Sequence, residues 1–280
     1  ECPRDAMQGI KQLIPAELKA NYINRLLKVG FNTIDFGSFV SPKAIPQMHD
    51  TADVLKRLDL TGSESKLLAI IANERGAQDA CAFNEITYLG FPFSISETFQ
   101  QRNTNSTIHE SLGRVEEIQK LCLKNNKKLL VYISMAFGNP YGDAWHADIA
   151  IDWCKKLNAI GIDHLALADT TGSSTPQTIT ELFSALIPEL KGVELGAHLH
   201  STSTKSPEKI RAAYESGCRS FDVAIHGYGG CPMAADDLTG NIATEDLENF
   251  ATQNKIALNL NTAELYKAYE ESWKIFNNFH

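Results

Sequence analysis

The chain has no apolar run approaching the roughly 20 residues that a membrane-spanning helix needs, and no signal or transit peptide is visible at its start. Basic charge is not in excess either. A net charge of −8 and a pI near 5.5 argue against a nucleic-acid partner, because such binders carry a basic face. The six cysteines (Cys2, Cys81, Cys122, Cys154, Cys218 and Cys231) are scattered without a C-x-x-C pair. That argues against a zinc ribbon or a disulfide framework and predicts a reduced, cytoplasmic setting. No G-x-G-x-x-G follows the first strand-like segment, which lowers a dinucleotide-binding reading. No linker or low-complexity stretch divides the chain, so residues 1–280 are expected to form one domain. The first residue is Glu1 rather than Met, and a few leading residues are expected before it.

What is present is an alternation of short apolar segments and amphipathic stretches. Strands are expected at Phe31–Phe36, Leu67–Ala72, Glu85–Phe91, Leu129–Met135, His164–Asp169, Val193–His200 and Ser220–His226. Glu1-Cys2 would be the tail of an eighth. Helical patterns cover Pro15–Val29, Ala44–Leu58, Asn73–Ala82, Thr107–Lys124, Asp143–Ala159, Pro176–Ile187 and Ser206–Ser216, with two more between Thr244 and Phe279. Strand ends recur about every 30 residues, the length of a βα unit. Such regular alternation predicts a parallel sheet, and eight units predict a (β/α)8 TIM barrel with an additional C-terminal helix.

Barrel enzymes keep their chemistry at the C-terminal ends of the strands. Arg4, Asp5, Asp35, Asp169, His198, His200 and His226 fall there, followed by a glycine-rich loop carrying Cys231 and then Asn241. In an extended chain residues i and i+2 share a face, so His198 and His200 present two imidazoles side by side. Buried charges need partners or a cation. Asp5, His198 and His200 are therefore expected to ligate a divalent metal, with Asn241 as a further oxygen donor. A mixed N/O set suits Mg²⁺ or Mn²⁺ better than Zn²⁺. Plainer readings exist: an Arg4–Asp5 ion pair closing the barrel, Asp169 capping a helix, two satisfied histidines. Cys231, between glycines and a proline, reads as a thiol that a lid carries to the substrate.

These residues resemble the 3-hydroxy-3-methylglutaryl-CoA lyase branch of the metal-dependent barrel lyases and Claisen-type synthases. Arg4-Asp5-Ala6-Met7-Gln8 is similar to the family's R-D-G-x-Q, and Ser38–Lys43 with Ile45–Met48 is a long match. So is Gly229-Gly230-Cys231-Pro232 with Gly240–Asp246. The resemblance implies that Asp5, His198, His200 and Asn241 hold the metal and that Arg4 stabilises the thioester enolate. It further implies that Asp169, or a ligating histidine, helps remove the C3-hydroxyl proton, and that Cys231 relays a proton to the departing acetyl-CoA carbanion.

The departures are Ala6 for glycine, Asp35 where the lyases carry glutamate, Ser201 for aspartate and Leu130 for arginine. The expected activity is cleavage of 3-hydroxy-3-methylglutaryl-CoA to acetyl-CoA and acetoacetate. The alternatives are a related metal-dependent aldolase or lyase on another 3-hydroxyacyl-CoA or hydroxy acid, and an inactive barrel acting as a binding subunit. The expected partner is a small-molecule acyl-CoA. A homodimer through outer helices is the assembly such barrels often form.

Overall fold

The structure, a computed structural model, describes residues 1–230 and 239–279. A short helix α1 (Arg4–Gln8) leads to α2 (Ala16–Val29), which follows Pro15 and stops where Gly30 turns left-handed at φ 86°. The strands are β1 (Thr33–Ser38), β2 (Lys66–Ile70), β3 (Ile86–Ser94), β4 (Lys128–Ser134), β5 (His164–Asp169), β6 (Glu194–Leu199) and β7 (Ser220–Phe221). Between them run α3 (Thr51–Leu55), α4 (Glu74–Cys81), α5 (Glu97–Thr104), α6 (Ile108–Lys124), α7 (Ala147–Ala159), α8 (Pro176–Glu189) and α9 (Ser206–Glu215). Last come α10 (Thr244–Gln253) and α11 (Thr262–Asn278).

Among the described residues seven strands pair in chain order, every pair parallel, in one curled sheet with helices on its outer face. Period-two alternation decides which side each residue takes. On β4, Leu129, Val131 and Ile133 join the main core beneath the helices, while Leu130 and Tyr132 join a small inner cluster with Leu68, Ile70 and Ala166. The large outer core is where most apolar burial lies, at about 1.5–3 kcal/mol per full-sized side chain.

Helix starts follow local chemistry. Thr107 and Glu110 form a capping box on α6, Thr175 and Thr178 another on α8, and the Asn73 and Ser96 side chains cap α4 and α5. The expected helix over Ala44–Leu58 is instead a 3₁₀ turn (Pro46–Met48) followed by α3. Thr51 Oγ1 divides them, donating to the Met48 carbonyl and accepting from Ser38 N. The helix expected from Asp143 begins at Ala147, because the Asp143 carboxylate is engaged by Ser96 and Thr98. The strand expected over Ser220–His226 ends at Phe221, and His226 lies at φ 55°, which a strand does not allow. Glu1 and Cys2 carry no strand in the described structure.

β1 and β7 are not paired with each other among the described residues. A cavity of about 960 Å³ lies between them and runs into the interior, lined by Ile34, Tyr88, Leu130, Tyr132, Phe221 and Val223 among others. Among the described residues no helix is long and apolar enough to cross a membrane.

Candidate active site

Six of the expected side chains meet at one end of the sheet: Arg4, Asp5, Asp35, His198, His200 and Asn241, each no more than 8% exposed. Alternation brings them there. Ile34 and Phe36 face the outer core, so Asp35 faces in; Ala197 and Leu199 do the same for His198 and His200. A register shift between Asp35 and Gly37 places a bulge beside Asp35, and bulges re-aim side chains next to active sites.

Arg4 is the centre of the acidic half. Its Nε and Nη2 reach Asp35 Oδ2 at 2.7 and 2.5 Å, Nη1 reaches Asp5 Oδ1 at 3.0 Å, and Nη2 reaches Glu1 Oε2 at 2.9 Å. Asp35, one methylene shorter than glutamate, thus still meets the guanidinium directly. Its Oδ1 has no hydrogen-bond partner among the described residues. Burial opposes charge on Arg4, but Asp35, Asp5 and Glu1 outweigh it and hold the guanidinium well above its ordinary range. Burial pushes the Asp35 carboxyl up beyond the pull of Arg4, and the Glu1 charge pushes the same way. Asp5 is buried too, yet Arg4 and the two histidines keep it low.

Asp5 Oδ2 accepts from Asn241 Nδ2 at 2.6 Å and from Gly230 N at 3.1 Å. Gly229, at φ 101°, lies against that contact: a Cβ there would stand 2.7 Å from both Asn241 Nδ2 and Asp5 Oδ2. His200 and Asn241 also share an isolated antiparallel bridge.

The histidines form the other half. His198 Nδ1 faces Asp222 Oδ2 at 3.1 Å and Glu1 Oε1 at 3.5 Å; His200 Nδ1 donates to the Thr239 carbonyl at 2.9 Å. Their Nε2 atoms are 3.3 Å apart. Burial lowers the His198 pKa, but Glu1 and Asp222 outweigh it and raise it to about 10. Burial and the neighbouring His198 charge push His200 down.

Four carboxylates (Glu1, Asp5, Asp35 and Asp222) share one guanidinium, two imidazoles and the Glu1 ammonium in this cluster. The two imidazoles have Nδ1 engaged elsewhere and turn their Nε2 atoms toward each other, so a cation that displaces the proton between them meets two ring nitrogens aimed at one point. The residues present therefore fit a divalent ion. Among the described residues, Glu1, His198 and Asp222 also bring one potential ligand atom each within 4.8 Å of one another. That grouping uses the Nδ1 side of His198, whose carboxylates are already hydrogen-bonded: Glu1 to Arg4 and Tyr132, Asp222 to the imidazole itself.

Asp169 stands apart. It shares its strand face with Leu165 and Leu167, which belong to the outer core, and it is engaged from the helix side. Ser174 N and Oγ donate to it at 3.0 and 2.5 Å, and Lys209 Nζ does so at 2.8 Å. His226 turns outward, pairing with Glu245 at 2.6 Å and packing on Tyr228, Tyr269 and Trp273. Cys231 lies outside the described residues. Leu130 faces the inner apolar cluster, and Ser201 is buried with its hydroxyl on the Thr202 carbonyl.

Sequence reasoning missed Glu1, Tyr132, Asp222 and Lys209. Tyr132 donates to Glu1 Oε1 at 3.2 Å and sets its ring edge-on against His198. Its signal was available, since it shares the inward parity of Leu130.

Comparison with known proteins agrees over nearly the whole chain. The human cytoplasmic 3-hydroxy-3-methylglutaryl-CoA lyase is 34% identical over 272 residues, covering 96% of this chain and 71% of that protein. A hydroxymethylglutaryl-CoA lyase of Bacillus subtilis is 31% identical, covering 95% of this chain and 88% of the other. Among solved structures, an HMG-CoA lyase from Acinetobacter baumannii in complex with coenzyme A and 3-methylmalate superposes with a TM-score of 0.91. It is 29% identical, and the match covers 98% of this chain and 89% of that one. The HMGL-like family model matches residues 2–271, and the chain belongs to that family.

Proposed function

We propose that this chain is a carbon–carbon lyase that cleaves 3-hydroxy-3-methylglutaryl-CoA to acetyl-CoA and acetoacetate by retro-Claisen chemistry. The named activity of its relatives supports this reading. The single observation that carries it is the pair of convergent Nε2 atoms beside an arginine ringed by carboxylates. Asp5, His198, His200 and Asn241 would hold Mg²⁺ or Mn²⁺. When bound, that ion lowers the pKa of a chelated hydroxyl and polarises an adjacent oxygen.

In the reaction the C3-hydroxyl loses its proton, the C2–C3 bond breaks, C3 becomes the ketone of acetoacetate, and the electron pair moves into the thioester as an enolate. Arg4, held by Asp35 and Glu1, places fixed positive charge where that enolate oxygen forms. Of the two bases the resemblance offers for the hydroxyl proton, Asp169 is engaged by Ser174 and Lys209 on the helix side, and an imidazole would take the proton only on a ring nitrogen not given to the ion. Cys231 is the proposed proton donor to C2.

The expected (β/α)8 closure belongs to the same reading: β1 and β7 border a cavity that an eighth parallel strand would fill, with Glu1 N already donating to Val223 O at 3.1 Å. The five described cysteines are all free, in keeping with a reducing, cytoplasmic setting, and pairing of two copies through outer helices remains the proposed assembly. Leu130 favours a second reading, a neighbouring 3-hydroxyacyl-CoA as substrate, because an apolar residue stands where the lyases it resembles carry a charge.

Turnover by wild type against Asp5→Ala and His200→Ala, with bound metal measured by elemental analysis, tests the assignment. Loss of both activity and metal in the variants is expected; a variant that turns over normally contradicts it.

A further inference from the structure

Lys209 is 1% exposed, and all three protons of its ammonium have acceptors. It projects from α9 to Asp169 Oδ2 at 2.8 Å, to the His200 carbonyl at 2.8 Å and to the Gly172 carbonyl at 3.1 Å. The three acceptors belong to three segments: the end of β5, the loop that follows it, and the residue just past β6. An uncompensated ammonium at such depth costs several kcal/mol, so the neighbours are held to it as firmly as it is held to them.

Asp169 is bound from the same side, by Ser174 N and Oγ as well as by Lys209. Its carboxylate therefore receives three donors and lies on the helix-facing side of β5, with Leu165 and Leu167. His200, by contrast, has its ring on the inner side, with Nδ1 on the Thr239 carbonyl and Nε2 toward His198. The main chain of His200 is thus clamped from behind by Lys209 and its ring is tethered in front by Thr239.

We propose that Lys209 is a positioning residue for the metal-binding face: it fixes the His200 main chain and the Asp169 carboxylate as one unit, and so aims His200 Nε2. Asp169 is the counter-charge that makes a buried lysine tolerable at that place. The inference rests on the reading of His198 and His200 as ligands. It assigns the Asp169–Lys209 pair to support behind the ligands rather than to contact with the substrate.

The test is Mn²⁺ binding, by titration and by EPR of the bound ion, to wild type and the double variant Asp169→Asn/Lys209→Met. Lys209→Met alone would strand a buried carboxylate and Asp169→Asn alone a buried ammonium, so the two charges are removed together. Circular dichroism confirms that the variant is folded. The double variant is expected to bind about tenfold more weakly or worse, the scale of a lost outer-shell partner, with an altered EPR spectrum. Equal affinity and an equal spectrum in the folded double variant would overturn the positioning role of Lys209. Wild type that binds no Mn²⁺ would instead overturn the ligand assignment beneath it.

Discussion

The Nε2 atoms of His198 and His200 stand 3.3 Å apart while their Nδ1 atoms are engaged elsewhere, by Asp222 and Glu1 on one ring and by the Thr239 carbonyl on the other. Two ring nitrogens approach this closely either because one carries a proton toward the other or because a cation is meant to lie between their lone pairs. Glu1 and Asp222 on the far nitrogen hold that proton on His198 in the metal-free protein, and the same carboxylates raise the ring's basicity as a ligand once a cation displaces it. Asp222→Asn should therefore weaken Mn²⁺ affinity about 10–100-fold while leaving the fold intact. Isothermal titration reads this directly, and unchanged affinity would remove Asp222 from the site.

Proton and metal compete for His198. Its folded pKa of about 10 lies above the ordinary 6.5. The stabilisation this pairing contributes to the metal-free protein is thus fully present below pH 6.5 and lost as pH rises toward 10. Metal affinity should run the other way, rising across the same window as the proton is given up. Thermal midpoints and Mn²⁺ titrations between those limits, compared with His198→Gln, check both signs. A wild-type affinity independent of pH would contradict the competition.

Arg4→Gln should lower kcat by about 10²–10³-fold, the scale of losing one oxyanion donor, without weakening Mn²⁺ binding. Its guanidinium contacts Asp5 Oδ1, whereas the opposite oxygen, Oδ2, faces Asn241. Steady-state kinetics beside a binding titration separates the two effects. A variant that lost metal as well would show that Arg4 builds the metal-binding face rather than stabilising charge.

Gly229→Ala should damage the same face from the loop. At φ 101° an alanine is strained, by about 1–3 kcal/mol, and its Cβ would press on Asp5 and Asn241 together. Weaker Mn²⁺ binding and lower activity are expected with little change in overall helicity. Gly142→Ala, also at positive φ but with nothing within 4 Å of its Cβ, controls for strain alone.

Much of this arrangement was legible in the chain. Alternation about Leu199 and about Ile34 and Phe36 was enough to turn both histidines and Asp35 inward. The same rule, applied from Leu165 and Leu167, places Asp169 on the helix side, where it meets Lys209; grouping it with the inward acids passed over that parity. Lys209 itself carried no motif, because a lysine in a helix nine residues after His200 looks like any solvated charge until the packing of α9 is known. The Glu1–Asp222 link to His198 joins residues far apart in sequence and had no local signal. Helix α5 was missed because its buried residues are only Phe99 and Gln100, too few for an apolar stripe. His226 deceived in the opposite way: its left-handed backbone ends the strand reading and swings the ring onto Glu245.

Acetoacetate release from 3-hydroxy-3-methylglutaryl-CoA, followed in a coupled assay with Mg²⁺ or Mn²⁺ and again with EDTA, tests metal and substrate together. Turnover in the usual range of about 1–10³ s⁻¹ is expected, abolished by EDTA and restored by added metal. Full activity in EDTA would contradict the metal site, and metal-loaded protein that releases no acetoacetate would contradict the substrate.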